Sequence, residues 1–224
     1  MRCGCCVVLR KRLISKLLVE NGVLVKYSNF VNNRRIVGNP VSTAKVLADQ
    51  VVDEFMVVDL GTIDPDLVRD MVIETMTPVT AAGSIRTMDH VERLIQHGGA
   101  DKVVIKDIPL AEKVAARFGK QAVVWAIDYT GECSPFVPDC AGEVVVTSID
   151  RDGTYRGYDL AALAHDWKVP VVIAGGCGKL KHVSDAMDAG ADGCAISSMT
   201  AFTDKSFIKI RSWLRSSGQN VRAA

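Results

Sequence analysis

The sequence predicts a single eight-fold βα barrel. Short β-branched runs alternate with amphipathic helical stretches, no linker or low-complexity break interrupts them, and a half-length repeat runs through the chain. At 224 residues the chain fits the range of about 200 to 250 usual for such barrels. An open doubly wound sheet is the rival, but no G-x-G-x-x-G follows the first strand.

In chain order the expected strands are Leu13–Val19, Glu54–Leu60, Val79–Gly83, Lys102–Lys106, Ala122–Asp128, Glu143–Ser148, Val169–Ala174 and Gly193–Ser197. Amphipathic helices are expected over Val41–Gln50, Pro65–Glu74, Met88–His97, Pro109–Phe118 and His182–Ala189. The repeat pairs Val79-Thr-Ala-Ala-Gly-Ser84, His90-Val91 and Gly99-Ala-Asp101 with Val171-Val-Ile-Ala-Gly-Gly176, His182-Val183 and Gly190-Ala-Asp192, about ninety residues on. Two such halves close into a pseudo-two-fold barrel with equivalent loops facing across its mouth. One connection departs from the pattern. Tyr129–Gly142 carries Pro135 and Pro138 and is too short for a helix with its turns, so that helix is expected to be missing or reduced.

Composition narrows the function classes. The chain is 48% hydrophobic and 24% charged, with Lys+Arg 27 against Asp+Glu 26 and a net charge of +1. That excludes a disordered chain and offers no basic field for nucleic acid or membrane. No apolar run reaches the roughly 18 residues of a membrane span, and no signal-peptide pattern opens the chain, so a cytoplasmic protein is expected. The seven cysteines do not form a disulfide framework, which fits a reducing compartment. Cys3, Cys5 and Cys6 lack the matching second pair of a zinc site, so no metal or other cofactor is expected. Residues 1–11 read as a disordered extension, and 12–224 as the barrel domain.

In a βα barrel the active site lies at the C-terminal ends of the strands. Asp128 ends the fifth strand, Asp59 nearly ends the second, and Ser148-Ile-Asp-Arg-Asp-Gly-Thr154 follows the sixth. Gly175–Gly178 with Ser197 and Ser198 makes a candidate phosphate cradle, because glycines before a helix expose backbone N–H groups. The repeat places a second, weaker cradle at Gly83-Ser84. Two cradles suggest an elongated substrate with a phosphate at each end; the same glycines also suit tight βα turns alone.

Thr147-Ser-Ile-Asp-Arg-Asp-Gly-Thr-Tyr-Arg-Gly-Tyr-Asp159 resembles the sixth-strand motif of the cyclase subunit of imidazole glycerol phosphate synthase, the HisF family. The resemblance extends through Ala122-Val-Val-Trp-Ala-Ile-Asp128, Gly99-Ala-Asp-Lys102, Gly190-Ala-Asp192 and Gly218-Gln-Asn-Val-Arg222, covering Arg12 to Arg222. It implies a barrel that pairs with a glutaminase as a heterodimer and receives ammonia through its interior. The implied substrate is a bisphosphorylated ribulosyl aminoimidazole carboxamide, with imidazole glycerol phosphate as a product. It implies Asp128 as the fifth-strand acid or base. The contacts it implies for substrate and phosphate are Lys26, Thr80, Gly83, Ser84, Thr147, Asp152, Gly153, Gly175, Gly176, Ser197 and Ser198. Three positions depart from the family. Leu18 stands where it has its first-strand aspartate. Lys106-Asp107 replaces an Asn-Thr pair, with Asp107 set to repel an anion. Ala82-Gly83-Ser84 thins out a triple glycine.

The opposite end keeps the family's pattern. Arg12, Glu54, Lys102 and Glu143 open their strands and match its charged gate over the ammonia passage, and Asp101 matches a position near the glutaminase contact. Period-two alternation puts Arg12 with Leu18, Glu54 with Val58, Lys102 with Lys106 and Glu143 with Thr147 on one face each. A ring of rim ion pairs without a transport role is the plainer reading. By the same parity Lys16 faces the interior midway, to pair with Asp128 or Asp59 or to obstruct the passage. The expected activity is the cyclase reaction. Its alternatives are an ammonia-conducting subunit for amidino-sugar synthesis, which relatives lacking the first-strand aspartate accompany, and a non-catalytic glutaminase activator.

Overall fold

The computed structural model describes residues 10–28, 32–202 and 204–222. Cys3, Cys5 and Cys6 lie outside the described residues, as does most of the expected extension. Lys11, placed in that extension, already belongs to the barrel: it bridges Val221, and its N–H donates to the Asn220 carbonyl at 2.9 Å.

Eight parallel strands close into a ring. They are β1 (Arg12–Glu20), β4 (Glu54–Asp59), β5 (Val79–Ala82), β6 (Lys102–Ile105), β7 (Val123–Tyr129), β8 (Glu143–Ser148), β9 (Val171–Ala174) and β10 (Gly193–Ile196), with β10 pairing back onto β1. Following the register once around the ring returns to β1 eight residues displaced, the stagger of an eight-stranded βα barrel. Two layers of apolar side chains fill it. Ile14, Met56, Val124, Ala126, Val145, Val172, Ala174 and Ala195 pack inside the ring, and a larger cluster lies between strands and helices.

The helices are α1 (Pro40–Ala48), α2 (Pro65–Thr75), α3 (Met88–Glu92), α4 (Ile108–Phe118), α5 (Leu180–Asp188), α6 (Ser198–Phe202) and α7 (Phe207–Ser216). Their starts are written locally. Asn39, Asp64, Thr87 and Asp107 each accept a backbone N–H of the first turn, and Pro follows the cap in α1, α2 and α4. No helix joins β7 to β8, as the two prolines predict, and β8 to β9 carries only a 3-10 turn at Leu160–Leu163.

The repeat has a structural cause. Asp101 takes the Val79 N–H on its carboxylate at 2.9 Å and returns its own N–H to the Val79 carbonyl. Asp192 does the same to Val171, and Asp53 to Leu13. Each aspartate is a two-pronged clamp on the start of a strand. Asp101 is therefore engaged in the barrel itself at the place expected to meet a glutaminase.

One element departs from the expected chain. β1 runs on into an antiparallel hairpin of β2 (Val23–Ser28) and β3 (Asn32–Gly38). Asn21 and Gly22 make its turn with φ of 51° and 74°. Asn-Gly is the dipeptide this turn favours, because both central residues need positive φ.

Candidate active site

At the N-terminal end of the barrel Arg12, Glu54, Lys102 and Glu143 point at one another. Arg12 reaches Glu54 at 2.8 Å and Glu143 at 3.0 Å, and Lys102 Nζ lies 2.9 Å from Glu54 and 3.0 Å from Glu143. Both carboxylates are buried, so the charges alternate in a ring that closes the floor. Burial works against the Arg12 charge, yet Glu143 and Glu54 hold its pKa above the ordinary value. Burial likewise opposes ionisation of Glu54, but Lys102, Arg12 and the Thr80 hydroxyl keep it below the usual carboxylate range. Thr80, expected among the substrate contacts, belongs to this floor. It is fully buried and donates to Glu54 Oε1 at 2.7 Å.

The C-terminal end opens into a cavity of about 580 Å³. Asp59, Gly83, Ser84, Lys106, Asp107, Asp128 and Thr147 line it above walls of Met56, Val58, Val104, Ala126 and Val145. Asp128 is half-exposed and paired with Lys106 Nζ at 2.5 Å. Asp59 accepts the Gly61 N–H at 2.7 Å; burial raises its pKa against that hydrogen bond, and Asp64 and Glu20 add to the rise. Two carboxylates thus share one cavity, Asp128 beside the Lys106 cation and Asp59 holding the Gly61 N–H. Leu18, at the position of the implied first-strand aspartate, is buried against Val25 and Val58 in the strand register.

The two expected cradles differ in how much space they enclose. Asp152, Gly153, Gly175, Gly176, Ser197 and Ser198 do converge, together with Lys16 and Cys177, but they enclose only about 10 Å³. That is room for about one water. Gly175 and Gly176 have φ of 92° and 95°, and a Cβ on Gly176 would meet the Gly157 carbonyl at 2.3 Å, so close backbone approach accounts for both. Cys177 is buried there, its thiol pushed up to about 12 by burial, and is no nucleophile. The Gly83-Ser84 loop, expected to be the weaker, opens onto the large cavity. Gly83 is required by contact too: a Cβ would lie 2.7 Å from the Asp59 carbonyl. Asp107 lines the cavity, but its carboxylate caps α4 by accepting the Leu110 N–H at 2.9 Å, which offsets part of the repulsion expected of it.

Two lysines sit elsewhere than expected. Lys26 is on β2, turned inward and fully enclosed, its Nζ donating to the Lys16 carbonyl at 3.2 Å and to the Ser197 hydroxyl. Burial, then the Lys16 charge, lowers its pKa to about 7. Lys16 pairs with neither Asp128 nor Asp59 but faces Asp152 at 3.9 Å. Arg86 was missed in the sequence. It is exposed beside Ser84 and lines both the cavity and the groove outside it. Its place directly after Gly83-Ser84-Ile85 is the signal that points to it.

Among the described residues no group of three or more His, Cys, Asp or Glu is placed to hold a metal, and no helix is long and apolar enough to cross a membrane.

Residues 12–205 match the model of the histidine biosynthesis protein family. The chain belongs to this family, as a divergent HisF member. It is 33% identical to the imidazole glycerol phosphate synthase subunit HisF of Campylobacter concisus, over 95% of this chain and 98% of that protein. The subunit of the same name from Streptomyces coelicolor is 33% identical over 96% of this chain and the whole of its own length. That of Trichormus variabilis is 32% identical, again over 96% of this chain. The match runs through the ring of strands from β1 to β10 rather than resting on one motif.

Proposed function

We propose that the chain is the cyclase subunit of a glutamine amidotransferase of the imidazole glycerol phosphate synthase type. It takes ammonia from a separate glutaminase at the barrel floor and delivers it to a phosphorylated ribulosyl aminoimidazole carboxamide in the upper cavity. The observation that carries this reading is the coaxial arrangement of a closed four-charge ring and a cavity holding Asp128, joined by an apolar interior. A neutral molecule the size of ammonia crosses such an interior once one ion pair parts, whereas charged solutes are held back.

Asp128 acts as one acid-base group. Asp59, lining the same cavity, supplies the second carboxyl that Leu18 cannot. Ser84 and Arg86 take one phosphate. Gly176, Ser197 and Ser198 take the other once the Lys16–Asp152 contact opens. On the floor side, Met76 at the end of α2 is 86% exposed, an apolar side chain suited to a partner's surface.

The test uses purified protein with ammonium and the bisphosphate substrate. Formation of imidazole glycerol phosphate supports the reading; no turnover at high enzyme concentration rejects it. With the glutaminase added, Lys102→Ala should uncouple glutamine hydrolysis from product formation, and unchanged coupling would remove the floor from the mechanism.

A further inference from the structure

Lys16 stands inside the barrel, on the inward parity of Arg12 and Ile14, with Met56 beside it in the strand register. It is only 5% exposed, yet its side chain lines both the large cavity and the closed niche, so it is the lysine that borders both spaces. The large cavity mixes apolar walls (Met56, Val58, Ala126 and Val145) with Asp128 and Thr147, and the niche adds Asp152 and Ser197. Its ammonium lies 3.9 Å from the Asp152 carboxylate, a separation for an ion pair rather than a direct hydrogen bond. A second lysine, Lys26, donates to the backbone carbonyl of Lys16 itself.

An amine held at the wall of a cavity, with a carboxylate beside it to take its proton, is placed to add to a carbonyl carbon, and Lys16 has both. We propose that Lys16 is a Schiff-base residue that condenses with the carbonyl carbon of a phosphorylated ketose bound in the cavity. Asp152 takes a proton from the ammonium, and the freed lone pair attacks the carbonyl carbon. The new C–N bond forms as the carbonyl π electrons move to oxygen, which takes a proton from the nitrogen to give the carbinolamine. Asp152 then returns its proton to the hydroxyl, the C–O bond breaks, water leaves, and a protonated imine remains. Nitrogen and carbon keep the positive charge that the ammonium brought, and no oxidant or reductant takes part. The imine draws electrons from the neighbouring carbon, which gives the site an electrophile at the strand whose end carries Leu18. The inference goes beyond the cyclase reading and needs from it only that the cavity admits a phosphorylated sugar.

Reductive trapping tests it. The full chain is incubated with ribulose 5-phosphate and cyanoborohydride, then read by intact mass and peptide mapping, with glycerol 3-phosphate as the probe lacking a carbonyl. The expected result is one adduct per chain on Lys16, weighing the sugar phosphate less one oxygen, absent with glycerol 3-phosphate. Lys16→Arg, which keeps the charge, should lose labelling at least tenfold while still binding ribulose 5-phosphate by calorimetry. Binding without an adduct overturns the proposal and leaves Lys16 a counter-ion. Labelling of other lysines at the same rate in wild type and Lys16→Arg overturns it too, as does the absence of both binding and adduct. An adduct on Lys16 without imidazole glycerol phosphate turnover rejects the cyclase reading alone. Turnover at the wild-type rate in Lys16→Arg rejects the Schiff base alone.

Discussion

A lysine amine sealed inside a barrel destabilises the fold wherever it must carry its charge. Lys26 is the case in point: burial first, and the Lys16 charge second, bring its pKa from 10.5 to about 7, with Asp152 opposing. The unfolded chain therefore holds this proton where the folded chain has released it, and stability gains with rising pH between about 7 and 10.5. Below about 7 both states are protonated and the penalty is constant. Lys26→Met should be the more stable protein at pH 7, with the difference from wild type shrinking as pH rises through that window; urea denaturation at several pH values measures it. The ring behaves differently because each of its charges has partners. Glu54→Gln leaves Arg12 and Lys102 facing one carboxylate in a buried place, with an expected loss of about 3–5 kcal/mol in urea denaturation.

Among the elements, the β2–β3 hairpin holds Lys26 against Ser197, and its turn depends on two positive-φ residues. Gly22→Ala puts a Cβ into the left-handed region at φ 74°, with a cost of about 1–2 kcal/mol. Amide exchange over Val23–Val25 should speed accordingly, because those residues pair with the end of β1. The β9–α5 loop is tighter. Gly176→Ala sets a methyl 2.3 Å from the Gly157 carbonyl at φ 95°, so the β8–β9 connection must shift. Phosphate affinity should fall with it, and by more than for Gly131→Ala, which shares a positive φ of 71° but has no atom within 4 Å of its Cβ. Asn21-Gly22 stands in the chain as a turn signal, yet the hairpin was not among the expected elements, which follow the βα alternation. The β8–β9 connection, which carries a 3-10 turn in place of a full helix, was not legible in the chain, since Leu160–Leu163 is held by packing more than by a local pattern.

For the molecule as a whole, closure depends on joining the two ends of the chain. Arg211 of α7 is buried and lies 3.0 Å from Asp53, the aspartate that clamps Leu13 at the head of β1. It also donates to the Val51 and Arg222 carbonyls. Arg211→Met leaves the buried Asp53 carboxylate only the Leu13 N–H and Arg222, 3.9 Å away, and should cost about 3 kcal/mol, read as a lower thermal midpoint. The ring of strands makes the floor and the cavity parts of one body, so loss of closure should weaken both substrate binding and glutaminase coupling together.

Local chemistry was enough for much of this. Alternation of β-branched runs with amphipathic helices specified the barrel, and period-two parity in parallel strands agreed with the inward floor that the family resemblance implied for Arg12, Glu54, Lys102 and Glu143. Both signals lie within a few neighbouring residues, where sequence dictates geometry directly. Which charges meet depended instead on strand stagger and on loops packed across the mouth. Lys16 found Asp152 rather than Asp128, Lys26 turned in to Ser197, Thr80 joined the floor, and the glycine cradle closed to about 10 Å³ while its counterpart opened. Those outcomes are set by distances between side chains more than a hundred residues apart as often as by near ones, and only the folded ring brings such groups within reach of each other.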